Sequence, residues 1–156
     1  FSTLHTSSAI GAIPRLLDIG ILPDILAGNI IGIVAQRLVR RLCPACREAH
    51  PAQDYELRLL ARTSTPERPV LYRAKGCPAC AFTGYRGRMA IMELIRMDPN
   101  LDELIARRAT PKEILNAARA AGFISLAEDG TRRVMEGSTS LDELARVIDL
   151  TERMFR

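Results

Sequence analysis

The sequence Cys43-Pro44-Ala45-Cys46 returns, after residues 47–76, as Cys77-Pro78-Ala79-Cys80, and these two motifs decide the fold prediction. Together they use all four cysteines of the chain. Zinc binds four thiolates in a tetrahedron, and two residues between cysteines let one tight turn present both sulfurs to the same ion. The pattern therefore predicts a structural zinc site formed by Cys43, Cys46, Cys77 and Cys80.

Other interpretations of the cysteines are two disulfides, a redox-active pair, or four unrelated core residues. Disulfides need an oxidising compartment, and nothing else in the sequence is typical of a secreted protein. A redox C-x-x-C needs one pair rather than two matched ones. His50 lies near Cys46, but four cysteines already complete a zinc shell, so we expect His50 at the surface. The motifs are further apart than the ~15–20 residues of a zinc ribbon, which favours an elaborated subdomain.

The first 42 residues precede the cysteine motifs and begin with an apolar segment. Residues 1–4 read as a strand already in progress, as if the chain were cut from something longer. His5 follows at the strand end, directly before residues 6–8, whose hydroxyls are competent helix N-caps. A lone histidine in such a position is more often solvated or hydrogen-bonded than functional.

Two helices are predicted after this segment. The first ends at Gly20, and Pro14 is expected to kink it or delay its start. The second carries Pro23 in its first turn and extends to Ile33. Residues 36–42 fit a continued helix or a strand, because periodicity cannot decide for so short a run.

The zinc subdomain with its flanking strand is predicted over residues 43–97. In chain order we expect a helix over 54–62, a loop over 63–69, a strand over Val70–Arg73, a turn over 84–88 and a second strand over 89–95.

Residues 98–156 read as a helical subdomain, because signals for helix starts recur along them. In a capping box, a Ser or Thr hydroxyl accepts the amide three residues on, and a Glu there returns to the cap amide. Such boxes start at Thr110, Ser125 and Ser140, and a weaker version starts at Asn100. The predicted helices are 101–108, 111–121, 126–136 and 141–150. Because all are short, they must pack on one another or on the rest of the chain.

Charge and hydropathy restrict the possible partners. The net charge is +4, with 13 basic and 7 acidic side chains in residues 1–97 and 9 and 11 in residues 98–156. A basic first part could meet phosphates, so a free-standing zinc ribbon that binds nucleic acid is the rival interpretation. The acidic tail and the lack of interleaved aromatic residues for stacking oppose it, and we expect no specific nucleic-acid binding. No apolar run reaches 18 residues, which predicts no transmembrane segment.

Several of these segments, in order, resemble one known family. Ser-Thr-Leu-His-Thr at 2–6 resembles the histidine box of the secretion-superfamily ATPases that drive type II secretion and type IV pilus assembly. Ala-Gln-Arg-Leu-Val-Arg at 35–40 resembles the segment before their first cysteine motif. Thr-Gly-Tyr-Arg-Gly-Arg at 83–88 with Glu-Leu at 93–94, and the closing stretch 128–143, are also similar. The paired cysteine motifs with the Gly-Tyr-Arg-Gly-Arg segment are the most specific part of a match that covers essentially the whole chain.

The resemblance implies an α/β fold in three parts. These are the C-terminal part of a RecA-like P-loop ATPase core (1–42), an inserted tetracysteine zinc subdomain with a flanking strand (43–97) and a C-terminal helical bundle (98–156). It also implies that His5 acts near the γ-phosphate of ATP, and that Gln36 and Arg37 lie near the nucleotide or a subunit interface.

The resemblance further implies the setting of the parent protein. That protein would be a cytoplasmic homo-hexamer, held at the inner membrane through the cytoplasmic domains of platform proteins. Its ATP hydrolysis would assemble a pseudopilus for type II secretion or, alternatively, a type IV pilus. Zinc would be structural, and ATP with magnesium would bind only in the parent, since the sequence holds no G-x-x-x-x-G-K-[ST] loop and no acidic Walker B segment. We therefore expect no ATP hydrolysis from this chain alone.

Overall fold

The computed structural model describes residues 1–61 and 68–150, which form a mixed α/β structure. Residues 62–67, with most of the predicted loop, lie outside the described part. The helices described are α1 (Ala9–Asp18), α2 (Pro23–Leu26), α3 (Asp54–Leu59), α4 (Pro99–Ala106), α5 (Pro111–Ala120), α6 (Leu126–Met135) and α7 (Leu141–Val147). The strands are β1 (Gly32–Leu42), β2 (Glu48–Pro51), β3 (Val70–Arg73) and β4 (Tyr85–Arg96). No helix in this part of the chain is long and apolar enough to cross a membrane.

The described residues pack into two compact units, each built from two segments. Unit 1 consists of Phe1–Gln36 and Met92–Leu126, and unit 2 of the described residues within Arg37–Ile91 and Ala127–Arg156. Strands β1 and β4 run through both units. The division into three functional parts after residues 42 and 97 stays a prediction.

Two antiparallel ladders organise the strands, and β1 pairs with β4. Within unit 1 the Met97 N–H donates to the Ile31 carbonyl at 3.0 Å, and within unit 2 the Cys43 N–H donates to the Gly84 carbonyl at 2.9 Å. Early residues of β1 thus pair with late residues of β4, which defines the antiparallel direction. Strand β2 pairs with β3 in the same sense.

The core of unit 1 is formed by helices α1, α2, α4 and α5 with parts of β1 and β4. Helix α1 packs on α5, α2 on α4, and α4 on α5. The side chains buried here are small or aliphatic: Ala9, Ala12, Ile13, Leu26, Ala35, Ile95, Leu101, Leu104, Ile105, Ile114 and Ala118.

Helix α1 agrees with its predicted end and differs from its predicted start. Gly20 follows the helix at φ +96°, a left-handed conformation that suits glycine. At the other end Ser8 is the N-cap, since its Oγ accepts the Gly11 N–H at 3.0 Å. The helix begins at Ala9, so the expectation that Pro14 delays its start is wrong, and Pro14 lies inside the helix.

Three other local predictions are also wrong. Residues 1–4 form no strand, because no residue in the described ranges pairs with them. The second helix stops at Leu26, and β1 is already extended from Gly32, which resolves the ambiguity at 36–42 in favour of strand. The turn predicted at 84–88 is mostly strand from Tyr85, since pairing with β1 outweighs the weak strand propensity of glycine.

The caps of the later helices show how far local signals reach. Helix α5 has the complete capping box predicted at Thr110. Helix α4 is capped by Asp98, whose Oδ1 accepts the Leu101 N–H at 2.8 Å, so the cap predicted at Asn100 is wrong. Proline fits the first helical position, which is why Pro99 places the start two residues earlier than predicted. The box at Ser125 stays a prediction.

Candidate metal centre and candidate nucleotide residues

The two cysteine motifs meet in unit 2, where each makes a tight turn and a backbone hydrogen bond joins the two turns. Cys46 N–H donates to the Cys43 carbonyl at 3.2 Å, and Cys80 N–H donates to the Cys77 carbonyl at 3.1 Å within a short 3₁₀ turn. The bond from Cys43 N–H to Gly84, just past the second motif, fixes one turn against the other. Residues 34 positions apart in sequence thereby present their sulfurs to one point.

The sulfur positions fit a tetrahedral metal site. The Sγ–Sγ separation is 4.0 Å for Cys43 and Cys77 and 3.8 Å for Cys77 and Cys80, and it is also 3.8 Å for Cys46 and Cys80. All four Sγ atoms lie within 4.8 Å of one another. A zinc–sulfur bond of ~2.3 Å gives a tetrahedral edge of about 3.8 Å, whereas a disulfide needs about 2.05 Å. The four cysteines are free in the structure and are able to hold a metal ion such as zinc.

Two of the cysteine thiols have pKa values shifted in opposite directions. Burial acts to raise the pKa of the Cys80 thiol, but hydrogen bonds from the backbone N–H groups of Cys77 and Gly84, each 3.2 Å from the sulfur, outweigh it and lower the pKa to about 6. Burial raises the pKa of Cys46 to about 11, and hydrogen bonds with the other thiols add to this. A divalent cation would favour the thiolate form at each sulfur. Four sulfur donors leave zinc no open position, so the site is suited to structure rather than to catalysis.

Glycines on either side of the second motif make its turn possible. Gly76 has φ +105°, and a Cβ there would lie 2.5 Å from the Phe82 carbonyl oxygen. Gly84 has φ +76°, and a Cβ there would lie 2.5 Å from the Ala74 Cβ. Both positions therefore require glycine on conformation and on space. Between them Phe82 has φ +62° and an exposed ring.

A buried carboxylate ties helix α7 to the strand that leads into the first motif. The Glu143 side chain is fully buried and accepts hydrogen bonds from the Arg40 N–H at 3.0 Å and from the guanidinium groups of Arg40 and Arg146 at 2.6 and 2.8 Å. Burial acts to raise the pKa of Glu143, but the bonds from both arginines outweigh it and lower the pKa to about 2. Arg40 also stacks on Tyr85, 4.1 Å from the ring centroid, and the Tyr85 hydroxyl lies 2.6 Å from Ser140 Oγ.

This ion cluster was missed by sequence reasoning. The box predicted at Ser140 is half correct, because Ser140 Oγ accepts the Glu143 N–H at 3.2 Å. The Glu143 carboxylate does not accept a hydrogen bond from the Ser140 N–H, because its oxygens accept hydrogen bonds from Arg40 and Arg146 instead. The sequence signal for this cluster is the run of arginines near the end of β1. These arginines can pair with a buried acid of α7 only if α7 packs against that part of the strand.

His50 is not part of the cysteine cluster. It lies on β2, with Nε2 3.0 Å from an oxygen of Glu56, and its side chain is only 18% exposed. The expectation of a surface residue is therefore wrong, since His50 pairs with a buried acid.

The three candidate nucleotide residues lie outside the cysteine cluster. His5 is exposed in the segment just before the Ser8 cap. Gln36 and Arg37 are consecutive on β1, so they point to opposite faces of the strand, Gln36 exposed and Arg37 half-buried. Their roles stay predictions.

Comparison with known proteins places the chain in a family. Residues 1–146 match the family described as type II/IV secretion system protein. The type II secretion system protein E of Pseudomonas aeruginosa is 47% identical over 146 residues, 94% of this chain and 29% of that protein. The type II secretion system ATPase E of Vibrio cholerae is 46% identical over the same shares. The type IV pilus assembly ATPase TfpB of Acinetobacter baylyi is 38% identical over 159 residues, 96% of this chain and 26% of that protein.

The chain thus spans less than a third of the length of these curated relatives. The family match extends over both cysteine motifs, both strands of the long ladder and the capped helices. The chain belongs to the type II/IV secretion system protein family.

Proposed function

We propose that this chain is the C-terminal part of a cytoplasmic, hexameric ATPase that powers type II secretion by assembling a pseudopilus. The observation that carries the proposal is the four-cysteine cluster lying within a family match over residues 1–146. In this proposal residues 1–42 complete a RecA-like core, residues 43–97 form the zinc subdomain and residues 98–156 form a helical subdomain. The parent binds the cytoplasmic domains of inner-membrane platform proteins and is held at the membrane through them.

Zinc is the metal we assign to the cluster, as a structural ion held by Cys43, Cys46, Cys77 and Cys80. Sulfur separations near a tetrahedral edge support this assignment. Metal analysis of the purified chain is expected to return one zinc per chain, released together with structure by a chelator. A metal-free chain that still unfolds cooperatively would contradict the assignment.

His5 is proposed to act on charge that develops at the γ-phosphate in the parent protein. The exposure of the His5 side chain, just before the cap of α1, supports this proposal. In the full-length protein His5→Ala should lower kcat by about 10²-fold or more, as losing a charge-stabilising group in a transition state does, with a smaller effect on ATP affinity. His50→Gln, at the other histidine, is the control and should keep kcat. An unchanged kcat for His5→Ala would make His5 a structural residue.

The isolated chain is proposed to be inactive. Its sequence holds no Walker A loop to bind phosphates and magnesium. We expect neither ATP hydrolysis above the level of a mock purification nor specific ATP binding. Hydrolysis above that level would show that the chain carries a site of its own.

Gln36 and Arg37 are proposed to lie near the nucleotide or at a subunit interface of the hexamer. Their places on opposite faces of β1 allow one to serve each role. Gln36→Ala and Arg37→Ala should be compared in the parent with Arg41→Ala, an exposed residue of the same strand. Loss of activity or of hexamers, measured by turnover and by light scattering, is expected for at least one of the first two and not for Arg41→Ala.

Type IV pilus assembly is the alternative function. Two relatives named as type IV pilus assembly ATPases are 38% and 39% identical to this chain over the aligned residues. Deleting the gene in its host should separate the two. Loss of exported proteins with pili retained supports type II secretion, and loss of pili with export retained supports the alternative.

A further inference from the structure

Glu93 is a buried carboxylate at an apolar position of β4. Burial alternates along this part of the strand, so that Ile91, Glu93 and Ile95 are buried while Met92 and Leu94 are exposed. An acidic side chain in an apolar register is costly unless its oxygens are hydrogen-bonded. The hydrogen-bond partners of the Glu93 carboxylate therefore indicate its role.

Its two oxygens accept hydrogen bonds from the first residues of two different helices. Oε1 accepts the Ala9 N–H at 2.5 Å, at the start of α1, and Oε2 accepts the Leu126 N–H at 2.8 Å, at the start of α6. The first N–H groups of a helix have no partner inside it, and the positive end of its dipole favours an anion. One carboxylate thus satisfies two helix starts, which lie 84 and 33 residues away in sequence.

The anchored end of α1 is also the end that carries the histidine segment. Only residues 6–8 separate His5 from Ala9. Within them Thr6 Oγ1 donates to the Ser8 carbonyl at 3.1 Å, and Ser8 Oγ accepts the Gly11 N–H. These local bonds shape the segment, and the Glu93 bond joins its helix start to β4.

We propose that Glu93 is a positioning residue of the ATPase: it holds the start of α1 against β4 and thereby gives His5 a fixed place relative to the bound nucleotide. This inference rests on the proposed role of His5 in the parent protein. Glu93 itself touches neither nucleotide nor reacting atoms in this scheme.

The test compares Glu93→Gln with Glu113→Gln in the full-length protein. Glutamine keeps the shape of Glu93, but only one of its two terminal atoms can accept a hydrogen bond. Glu113 is the matched control, since its carboxylate also caps a helix of unit 1, α5, but does not bond α1. Glu93→Gln should lower kcat about tenfold with KM for ATP changed less than about twofold, and Glu113→Gln should leave both within about twofold.

A double-mutant cycle with His5→Ala separates positioning from general stabilisation. If Glu93 acts through His5, adding Glu93→Gln to His5→Ala should lower kcat no further. Multiplicative losses, or a normal kcat in Glu93→Gln alone, would overturn the inference. If Glu93→Gln does not assemble, Glu93→Asp replaces it, because it keeps both oxygens on a shorter side chain. It should show a smaller loss of kcat with the same non-additivity, and multiplicative losses there would count equally against the inference.

A readout independent of activity distinguishes failure of the inference from failure of the proposed function. Hydrogen exchange measured on peptides covering 5–12 and 124–130 should be at least about tenfold faster at one or both helix starts in Glu93→Gln, and unchanged in Glu113→Gln. If His5→Ala leaves turnover unchanged, the proposed role of His5 fails, and faster exchange still supports the anchoring of α1 by Glu93. Unchanged exchange at both helix starts overturns the inference, whatever the activity.

Discussion

The turns at 43–46 and 77–84 are held by sulfur, glycine and backbone hydrogen bonds, whereas α4 and α5 are held by caps and by aliphatic packing. In the first region the four Sγ atoms converge and Gly76 and Gly84 shape the chain. In the second, Leu101, Leu104, Ile105, Ile114 and Ala118 are buried, and Asp98 and Thr110 cap the helix starts. From this difference we expect the first region to depend on a bound ion for its stability, and the second to depend on its own side chains.

The largest effect is expected from Cys77→Ser. The binding free energy of structural zinc, on the order of 10 kcal/mol, is also folding energy of its site. The substitution should release the ion and unfold residues 43–97 preferentially, with the helices after residue 98 retained. Metal content, and hydrogen exchange resolved along the chain, measure both. Ala79→Ser, which adds a hydroxyl at an exposed position of the same turn, is the control. Equal loss of protection in α4 and α5 would show that the two regions do not differ as described.

A smaller effect is expected from Glu143→Gln, which tests the link between α7 and the strand before Cys43. The folded-state pKa of Glu143 is about 2, below the ordinary value of ~4.3 for Glu. A depressed pKa contributes stability above the unfolded-state value, and this stability is lost as pH falls toward 2. At pH 7 the substitution should cost about 2–3 kcal/mol of unfolding free energy.

The pH dependence is the decisive part of the Glu143 experiment. Urea unfolding of both proteins from pH 7 to pH 2.5 should show a constant difference down to about pH 4.5 and a shrinking one below. Metal content is measured in both proteins at each pH, and a change in the difference is assigned to Glu143 only where the two metal contents are equal. A difference that stays constant to pH 2.5 would mean that the carboxylate charge is not what the arginines recognise.

The smallest effects are expected from the two cap hydroxyls, Ser140 and Thr110. Removing an N-cap costs ~0.5–2 kcal/mol. Ser140→Ala should lie at the upper end of this range, because Ser140 is buried and also bonds Tyr85. Thr110→Ala should lie at the lower end, since its box is exposed. Thermal unfolding measures both, and Tyr85→Phe, which removes the Tyr85 hydroxyl and keeps the cap, is the control. Equal costs for the two caps would contradict the contribution of the Tyr85 bond.

Local signals in the sequence predicted the parts of the fold that local chemistry controls. The two C-P-A-C turns, the end of α1 at Gly20 and the box at Thr110 each depend on residues within a few positions, and the structure has them. That the four cysteines form one cluster was also predicted, because two matched C-x-x-C turns are typical of one tetrahedral metal site.

Features that depend on distant partners were not predicted. Residues 1–4 look like a strand, but a strand exists only with a neighbour. Glu143 looks like part of a box, but Arg40, 103 residues earlier, binds its carboxylate. The burial of Glu93 could have been predicted from the sequence. Glu93 lies on the same face of a predicted strand as Ile91 and Ile95, and an acid buried on that face needs hydrogen-bond partners.

The division of each unit into two segments has a consequence for the order in which the chain folds during synthesis. Ala9 cannot find Glu93 until 84 more residues have been made, and α1 cannot pack on α5 before Ala120 is complete. The four cysteines are all present once Cys80 has been made. If the cluster binds a metal ion, the two cysteine turns can therefore close before α5 has left the ribosome, and they would bring the adjoining ends of β1 and β4 together before the first helix has α5 to pack against.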